Sequence, residues 1–282
     1  MSDIFVSNLH EIHKYRELDI DKVKQLYLND IDFKSHFTIN NSYQINVKNT
    51  LAIFDLSDHP LEGIYHAFIL DLKHKFVLST QSTNQIINTI YRSITVGGQV
   101  FQKLVSSGLG HKYLTVISLG HSAYFAHKGF SNGNANWVAL HLLKDYQHCK
   151  KTKVLTFNTV DLDGIVFNII WRDVKSCIVK RLKESLHHNK VVFTLITDHL
   201  VKRLALNILP EKHTRKSLIY NKKLFHSDCD CGPWSMTELV EKLCSDYIVA
   251  TEEYLVELTG FTWFESDEKN LIHRIKRNRY NN

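Results

Sequence analysis

Between residues 113 and 170 the chain is cut into short runs rich in β-branched and aromatic residues. They are 113–119 (YLTVISL), 137–143 (WVALHLL), 153–159 (KVLTFNT) and 165–170. Each is too short for a typical helix, and Gly, Asn and Asp separate several of them, notably at 131–136 (SNGNAN) and 161–164 (DLDG). Runs of that composition between turn formers read as strands. The period then changes. Val174, Ile178, Leu182 and Leu186 recur every four residues, with Lys and Arg opposite, which predicts an amphipathic helix over 171–188. Residues 191–196 read as one more strand.

Two further helices are legible. In 19–30 (DIDKVKQLYLND), Ile20, Val23 and Tyr27 share a face. In the last third, Pro233 suits a first-turn position, and Ser235-Met236-Thr237-Glu238 fits a capping box. Leu239, Leu243, Ile248 and Leu255 extend that apolar pattern to Gly260. No repeat and no Pro/Gly/Ser-rich linker marks a boundary. The expectation is an α+β fold with a mixed central sheet flanked by helices. Residues 1–112 would form a helical or mixed N-terminal elaboration packed on a core of residues 113–282, within one continuous domain.

Composition excludes several classes. No stretch reaches the roughly 18 consecutive apolar residues of a membrane-spanning helix. The first residues mix both charge signs and do not read as a secretory leader. The five cysteines are odd in number and scattered, which points to a reducing compartment rather than a disulfide framework. The net charge of +6 is mild and argues against nucleic acid as the main partner, although Arg274, Lys276, Arg277 and Arg279 cluster near the end, where they could touch nucleic acid or an acidic partner. Gly97-Gly98 and Gly108-x-Gly110 lack a phosphate-loop context. Seventeen histidines invite a metal. However, His226, Asp228, Cys229 and Cys231 do not follow zinc spacing, and no second ligand pair accompanies them. Neither metal nor cofactor is expected.

The sharpest local chemistry lies in His226-Ser227-Asp228-Cys229-Asp230-Cys231-Gly232-Pro233-Trp234. A cysteine just before a capped helix places its sulfur near unsatisfied backbone N–H groups and the positive end of the helix dipole, which lower a thiol's pKa. Gly232 lets a substrate carbonyl approach the backbone, and the same N–H groups can hold an oxyanion. Cys231 is therefore a better nucleophile candidate than Cys149, Cys177 or Cys244. A buried cysteine in a tight turn would give the same sequence.

The segment Asp230-Cys231-Gly232-Pro233-Trp234 resembles the nucleophile motif of the clan CE cysteine proteases: ubiquitin-like-protein proteases, adenovirus-type proteases, and related bacterial effector deubiquitinases and acetyltransferases. That family runs His-Trp at a strand start, an acidic residue or Asn ending the next strand, then Cys. Here Asn136-Trp137 opens one run and Asn158, followed by Asp161, closes the next. Tyr27-Leu28-Asn29-Asp30 is similar to an early Leu-Asn-Asp segment of the family. The resemblance covers about residues 113–260. It implies a papain-like, clan CE-like core, peptidase or acyl-transfer chemistry at Cys231, and Asn158 or Asp161 orienting a base. Trp137, Gly232 and Trp234 would contact substrate. The implied partner is ubiquitin, a ubiquitin-like protein or another host or cellular protein, in a cytoplasmic setting reached in some relatives by delivery into a host cell.

The departures are as informative. Asn136 stands where the family has its catalytic histidine, and an amide cannot take a thiol's proton. Phe225 or His226 stands at the place of the family's oxyanion-hole Gln. The stretch from Asn136 to Cys231 is long for the family, with 197–223 as the insertion. Three readings stay open. The chain is a pseudoenzyme that binds a protein partner; or its base is His121, His127, His141 or His226; or residue 136 is itself an inactivating substitution. His141 follows Asn136 by an odd number of residues, which would turn it to the opposite face of a regular strand.

Overall fold

The computed structural model describes residues 9–93, 98–129, 133–196 and 214–221. Within them, five α-helices and eleven β-strands form two mixed sheets. The strands are β1 (Glu17–Asp19), β2 (Phe37–Ile39), β3 (Thr50–Asp55), β4 (Ala67–Asp71), β5 (Lys75–Ser79), β6 (Val116–Ser118), β7 (Ala123–Ala126), β8 (Trp137–Ala139), β9 (Leu143–Cys149), β10 (Val154–Thr159) and β11 (Asn168–Trp171). The helices are α1 (Ile20–Asn29), α2 (Ile31–Ser35), α3 (Thr83–Ser93), α4 (Gln99–Gly108) and α5 (Ile178–Ile196).

The larger sheet has the order β2-β5-β4-β3-β8-β7-β6, antiparallel except for β2 beside β5. The smaller has the order β1-β11-β10-β9, antiparallel except for β1 beside β11. The α+β class read from the sequence is therefore present. Residues 9–93, most of the segment expected to be a helical or mixed elaboration, contribute strands as well as helices. They supply the four adjacent strands β2, β5, β4 and β3 of the larger sheet, plus β1 at the edge of the smaller one. Thr50–Asp55, Ala67–Asp71 and Lys75–Ser79 are almost continuously buried. Strands covered on both faces lose the in-out alternation that marks a strand in sequence.

Local rules explain α1. Asp19 is its N-cap, with a carboxylate oxygen accepting from the Asp21 N–H at 3.0 Å, and Val23 and Tyr27 are buried as their spacing predicts. Asp30 repeats the device for α2, accepting from the Phe33 N–H at 3.0 Å. Helix α2 drives Phe33 into a nest with Tyr15, Phe37 and Phe76, at centroid separations of 4.6–5.1 Å from Phe33. Phe68 and Phe54 extend it along the sheet.

Two runs resolve differently from their sequence reading. Residues 137–143 are not one strand. β8 ends at Ala139, Leu140–Leu142 form a 3₁₀ turn, and β9 begins in the other sheet. Residues 191–196 are not a strand but the last turns of α5. Val191 and Val192 are both buried within the helix, so tertiary packing outweighs their strand propensity. The helix expected after Pro233 lies outside the described residues. Aromatic contacts tie the sheets together: Phe125 of β7 stacks on Trp171 of β11 at 5.7 Å, and Phe157 of β10 meets the same indole edge-on at 5.0 Å.

Where β6 forms the edge of the larger sheet, α4 and α5 cover it with a buried polar seam. The Gln102 side-chain amide donates to the Ser118 carbonyl at 2.6 Å and accepts the Ser118 N–H at 3.1 Å. It thereby satisfies backbone groups that an edge strand would leave open. His188 completes the seam, with Nδ1 2.8 Å from the Ser118 hydroxyl and Nε2 3.0 Å from the Gln102 carbonyl.

Candidate functional site

The segment around Asn136 is held by hydrogen bonds to Asp55, Ser57 and Thr83. Asn136 Oδ1 accepts from the Asp55 N–H at 2.7 Å, at the exit of β3. Asn134 Nδ2 donates to Ser57 Oγ at 2.8 Å, and the Ala135 N–H donates to Thr83 Oγ1 at 3.0 Å, at the start of α3. Asn134 and Asn136 of SNGNAN, which the sequence offers as turn formers, thus fasten the strand entry to the sheet. Trp137 follows them in β8, fully buried between Ile53 of β3 and Ala126 of β7.

His127, just past the end of β7, lies beside Asn136. The two backbones pair through the His127 N–H and the Asn136 carbonyl at 3.2 Å. In return the Asn136 N–H donates to His127 Nδ1 at 2.8 Å. An imidazole that accepts at Nδ1 carries its proton on Nε2 when neutral. Burial is the main cause that pushes the His127 pKa down to about 4, against the Asn136 backbone bond, which raises it. The ring is neutral near pH 7. In this geometry it presents an N–H rather than a lone pair, so it suits hydrogen-bond donation and not proton abstraction.

The other histidine candidates divide clearly. His141 is buried, with Nε2 donating to the Val47 carbonyl at 2.7 Å and Nδ1 accepting from the Ala123 N–H at 3.2 Å. It is a packing residue with both ring nitrogens committed. His121 Nδ1 hydrogen-bonds the Tyr220 hydroxyl, and the two rings stack with centroids 6.0 Å apart. His226 lies outside the described residues, as do Cys231, Gly232 and Trp234.

Asn158 and Asp161 take separate places. Asn158 of β10 is opposite Asp145 of β9 and Asn168 of β11. Its Nδ2 donates to the Asp145 carboxylate. Asp161 is exposed and caps a tight turn, its carboxylate accepting from the Gly164 N–H at 2.6 Å. Asp163 and Gly164 there both have positive φ, 56° and 87°. This is the turn that the DLDG sequence predicts. No hydrogen bond among the described residues links Asn136 to Asn158 or Asp161. The strand register pairs Asn158 with Asp145, and Asn136 belongs to the entry of the other sheet.

Sequence reading missed Asp55, which joins the group only because β3 lies beside β8. It also missed the buried set of Tyr43, Thr50 and Asp71. There the Tyr43 hydroxyl donates to Asp71 at 2.6 Å and lies 2.6 Å from Thr50 Oγ1. Burial first, and the Asp71 charge second, push the Tyr43 phenol far above its ordinary value. That set closes the β4–β5 turn, since Asp71 also accepts from the Lys73 and His74 N–H groups at 2.8 Å each. No His/Cys/Asp/Glu group among the described residues is arranged to hold a metal ion, and none of their helices is long and apolar enough to cross a membrane. No family model, no curated protein and no solved structure matches this chain.

Proposed function

We propose that this chain is a cysteine peptidase-like protein of clan CE type, with a papain-like core, acting on ubiquitin or ubiquitin-like conjugates. The supporting observation is the sequence Asp230-Cys231-Gly232-Pro233-Trp234 running into a capping box and an amphipathic pattern. The Cys231 thiolate attacks an isopeptide or acyl carbonyl. N–H groups of the helix start stabilise the tetrahedral oxyanion, and a protonated imidazole delivers a proton to the leaving amine. Water then hydrolyses the thioester, or an acceptor takes the acyl group in a transferase variant of the cycle. Since His141 has both nitrogens engaged and His127 accepts at Nδ1, the reading assigns proton transfer to His226 or His121.

A second reading has its own support. Asn136 occupies the family's histidine position, and its amide oxygen is bonded to the Asp55 N–H. A chain that has given that position to structure serves as a pseudoprotease, a module that binds a modifier without cleaving it.

A panel of ubiquitin and ubiquitin-like vinyl electrophiles separates the two. The peptidase reading expects an adduct at Cys231, absent in Cys231→Ser and slowed in His226→Ala. Saturable modifier binding with no adduct from any member of the panel assigns the binding module, and neither adduct nor binding removes both readings.

A further inference from the structure

Residues 72–144 contain no aspartate or glutamate, although lysine and arginine recur through them. Part of this acid-free stretch forms a cleft where α4 meets the 110–114 loop. The cleft encloses about 730 Å³ and is lined chiefly by Lys103, Ser106, Ser107, His111, Lys112 and Tyr113. That volume lies in the range of small-ligand sites. Among the described residues, no carboxylate lines it.

Two cations meet at the ring of Tyr113, which lines the cleft. The Arg181 guanidinium, from the first turn of α5, lies 4.9 Å from the Tyr113 ring centroid, and the Lys112 ammonium lies 5.5 Å from the same centroid. Neither Lys103, Lys112 nor Arg181 forms a salt bridge with a carboxylate among the described residues. Lys180 does, with Glu184 at 3.8 Å, and both are on α5. Burial and, second, the charge of Lys180 lower the His111 pKa, a sign of the positive field in this cleft.

One feature of α4 opposes an anion, and the fold offsets it. The C-terminal end of a helix is electronegative. Here the Gly110 N–H donates to the Ser107 carbonyl at 3.0 Å and the His111 N–H to the Ser106 carbonyl at 2.9 Å. Gly110 reaches this cap with φ of +68°, the left-handed conformation open to glycine. The Ser106 and Ser107 carbonyls thereby have N–H partners.

We propose that this cleft binds a small phosphorylated ligand. Lys103, Lys112 and Arg181 would neutralise its charge, and the Ser106 and Ser107 hydroxyls would donate to phosphate oxygens. Several cations plus hydroxyl donors suit a multiply charged phosphate better than a single carboxylate. A concave cleft, rather than an extended basic stripe, favours a small molecule over a nucleic-acid strand. The site uses side-chain charge, which is why no phosphate-loop glycine pattern announces it.

The test is calorimetric titration of the full chain with pyrophosphate and with ATP, with a single-stranded oligonucleotide as the competing probe. Saturable binding of either small probe is expected, weakened at least about tenfold in Lys103→Gln/Lys112→Gln and further as salt rises above about 0.15 M. Lys103, Lys112 and Tyr113 are exposed, so their variants should keep the fold. Arg181→Gln gives a second, independent variant expected to weaken the same binding. No saturable binding of either small probe, an affinity unchanged by these substitutions, or binding of the oligonucleotide alone would each overturn the proposal.

Discussion

The aromatic nest beneath α2 and the polar seam beneath α4 and α5 are both buried, yet opposite forces hold them. In the nest, Phe33, Phe68 and Phe76 are fully buried and make tilted or edge contacts at 5.0–5.7 Å with one another or with Phe37. Its cohesion is apolar area and the close packing of uncharged rings. In the seam, Gln102, Ser118 and His188 are as deeply buried but are useful only while every donor meets an acceptor. The nest supplies bulk stability. The seam specifies how two helices cover a sheet edge, and it makes that cover dependent on the protonation of one imidazole.

The comparison is broken most directly from the apolar side. Phe68→Ala removes a ring from the middle of the nest and should cost about 3–5 kcal/mol. The urea midpoint should fall strongly, while the pH dependence of stability keeps its shape. A loss under about 1 kcal/mol would mean the rings are not packed against one another as described.

Acid should act on the seam and leave the nest alone. Burial is the main cause that pushes the His188 pKa from 6.5 down to about 4. The folded state then favours the neutral ring more than the unfolded state does. This contribution is fully present above pH 6.5 and is lost as pH falls from 6.5 towards 4, where the unfolded chain binds a proton that the folded one refuses. The shift corresponds to roughly 3 kcal/mol. His127, depressed likewise to about 4, adds a second share at the β7–β8 junction. Chemical denaturation between pH 7 and 4 should show this slope, and His188→Gln should reduce it. An unchanged slope in that variant would place the acid sensitivity elsewhere.

The contrast also explains what sequence could and could not reveal. Helix α1 was legible because its signals are local: Asp19 caps it, and Val23 and Tyr27 recur on one face. The turn at Asp161–Gly164 was legible for the same reason. Strands β3 to β5 were not, because burial on both faces erases their alternation. Strand β9 (LKDYQHC) was missed because polar residues fill it, and its place is set by pairing with β10. Of the candidate site, residue types were legible and partners were not. The Asn136 amide meets the Asp55 backbone across 81 positions of chain, and Ser118 meets His188 across 70. Such pairs exist only after the sheet has formed.

A smaller change sharpens the seam itself. Ser118→Ala keeps the backbone bonds to Gln102 but removes the hydroxyl facing His188 Nδ1. It should cost about 1–2 kcal/mol, more than a typical exposed hydrogen bond, because the imidazole nitrogen stays buried without that partner. Ser118→Thr retains the hydroxyl and should recover part of the loss. Equal midpoints for the alanine variant and the parent chain would show that the hydroxyl does not satisfy the ring.

The smallest effect is expected at Asn136, and it bears on function as much as on stability. Its amide oxygen is a single acceptor for the Asp55 N–H in a partly buried position. Asn136→Ala should therefore cost about 1 kcal/mol, while Asn136→Asp keeps an acceptor oxygen and should cost less. The backbone bond from the residue 136 N–H to His127 Nδ1 survives either change, so the acid slope assigned to His127 should persist in both variants. If residue 136 serves structure alone, electrophile labelling of Cys231 is unaffected by Asn136→Asp at matched stability. If labelling falls in Asn136→Asp while the urea midpoint holds, the residue takes part in the chemistry despite its amide. The junction of β3, β7 and β8 would then belong to the site and not merely to the sheet.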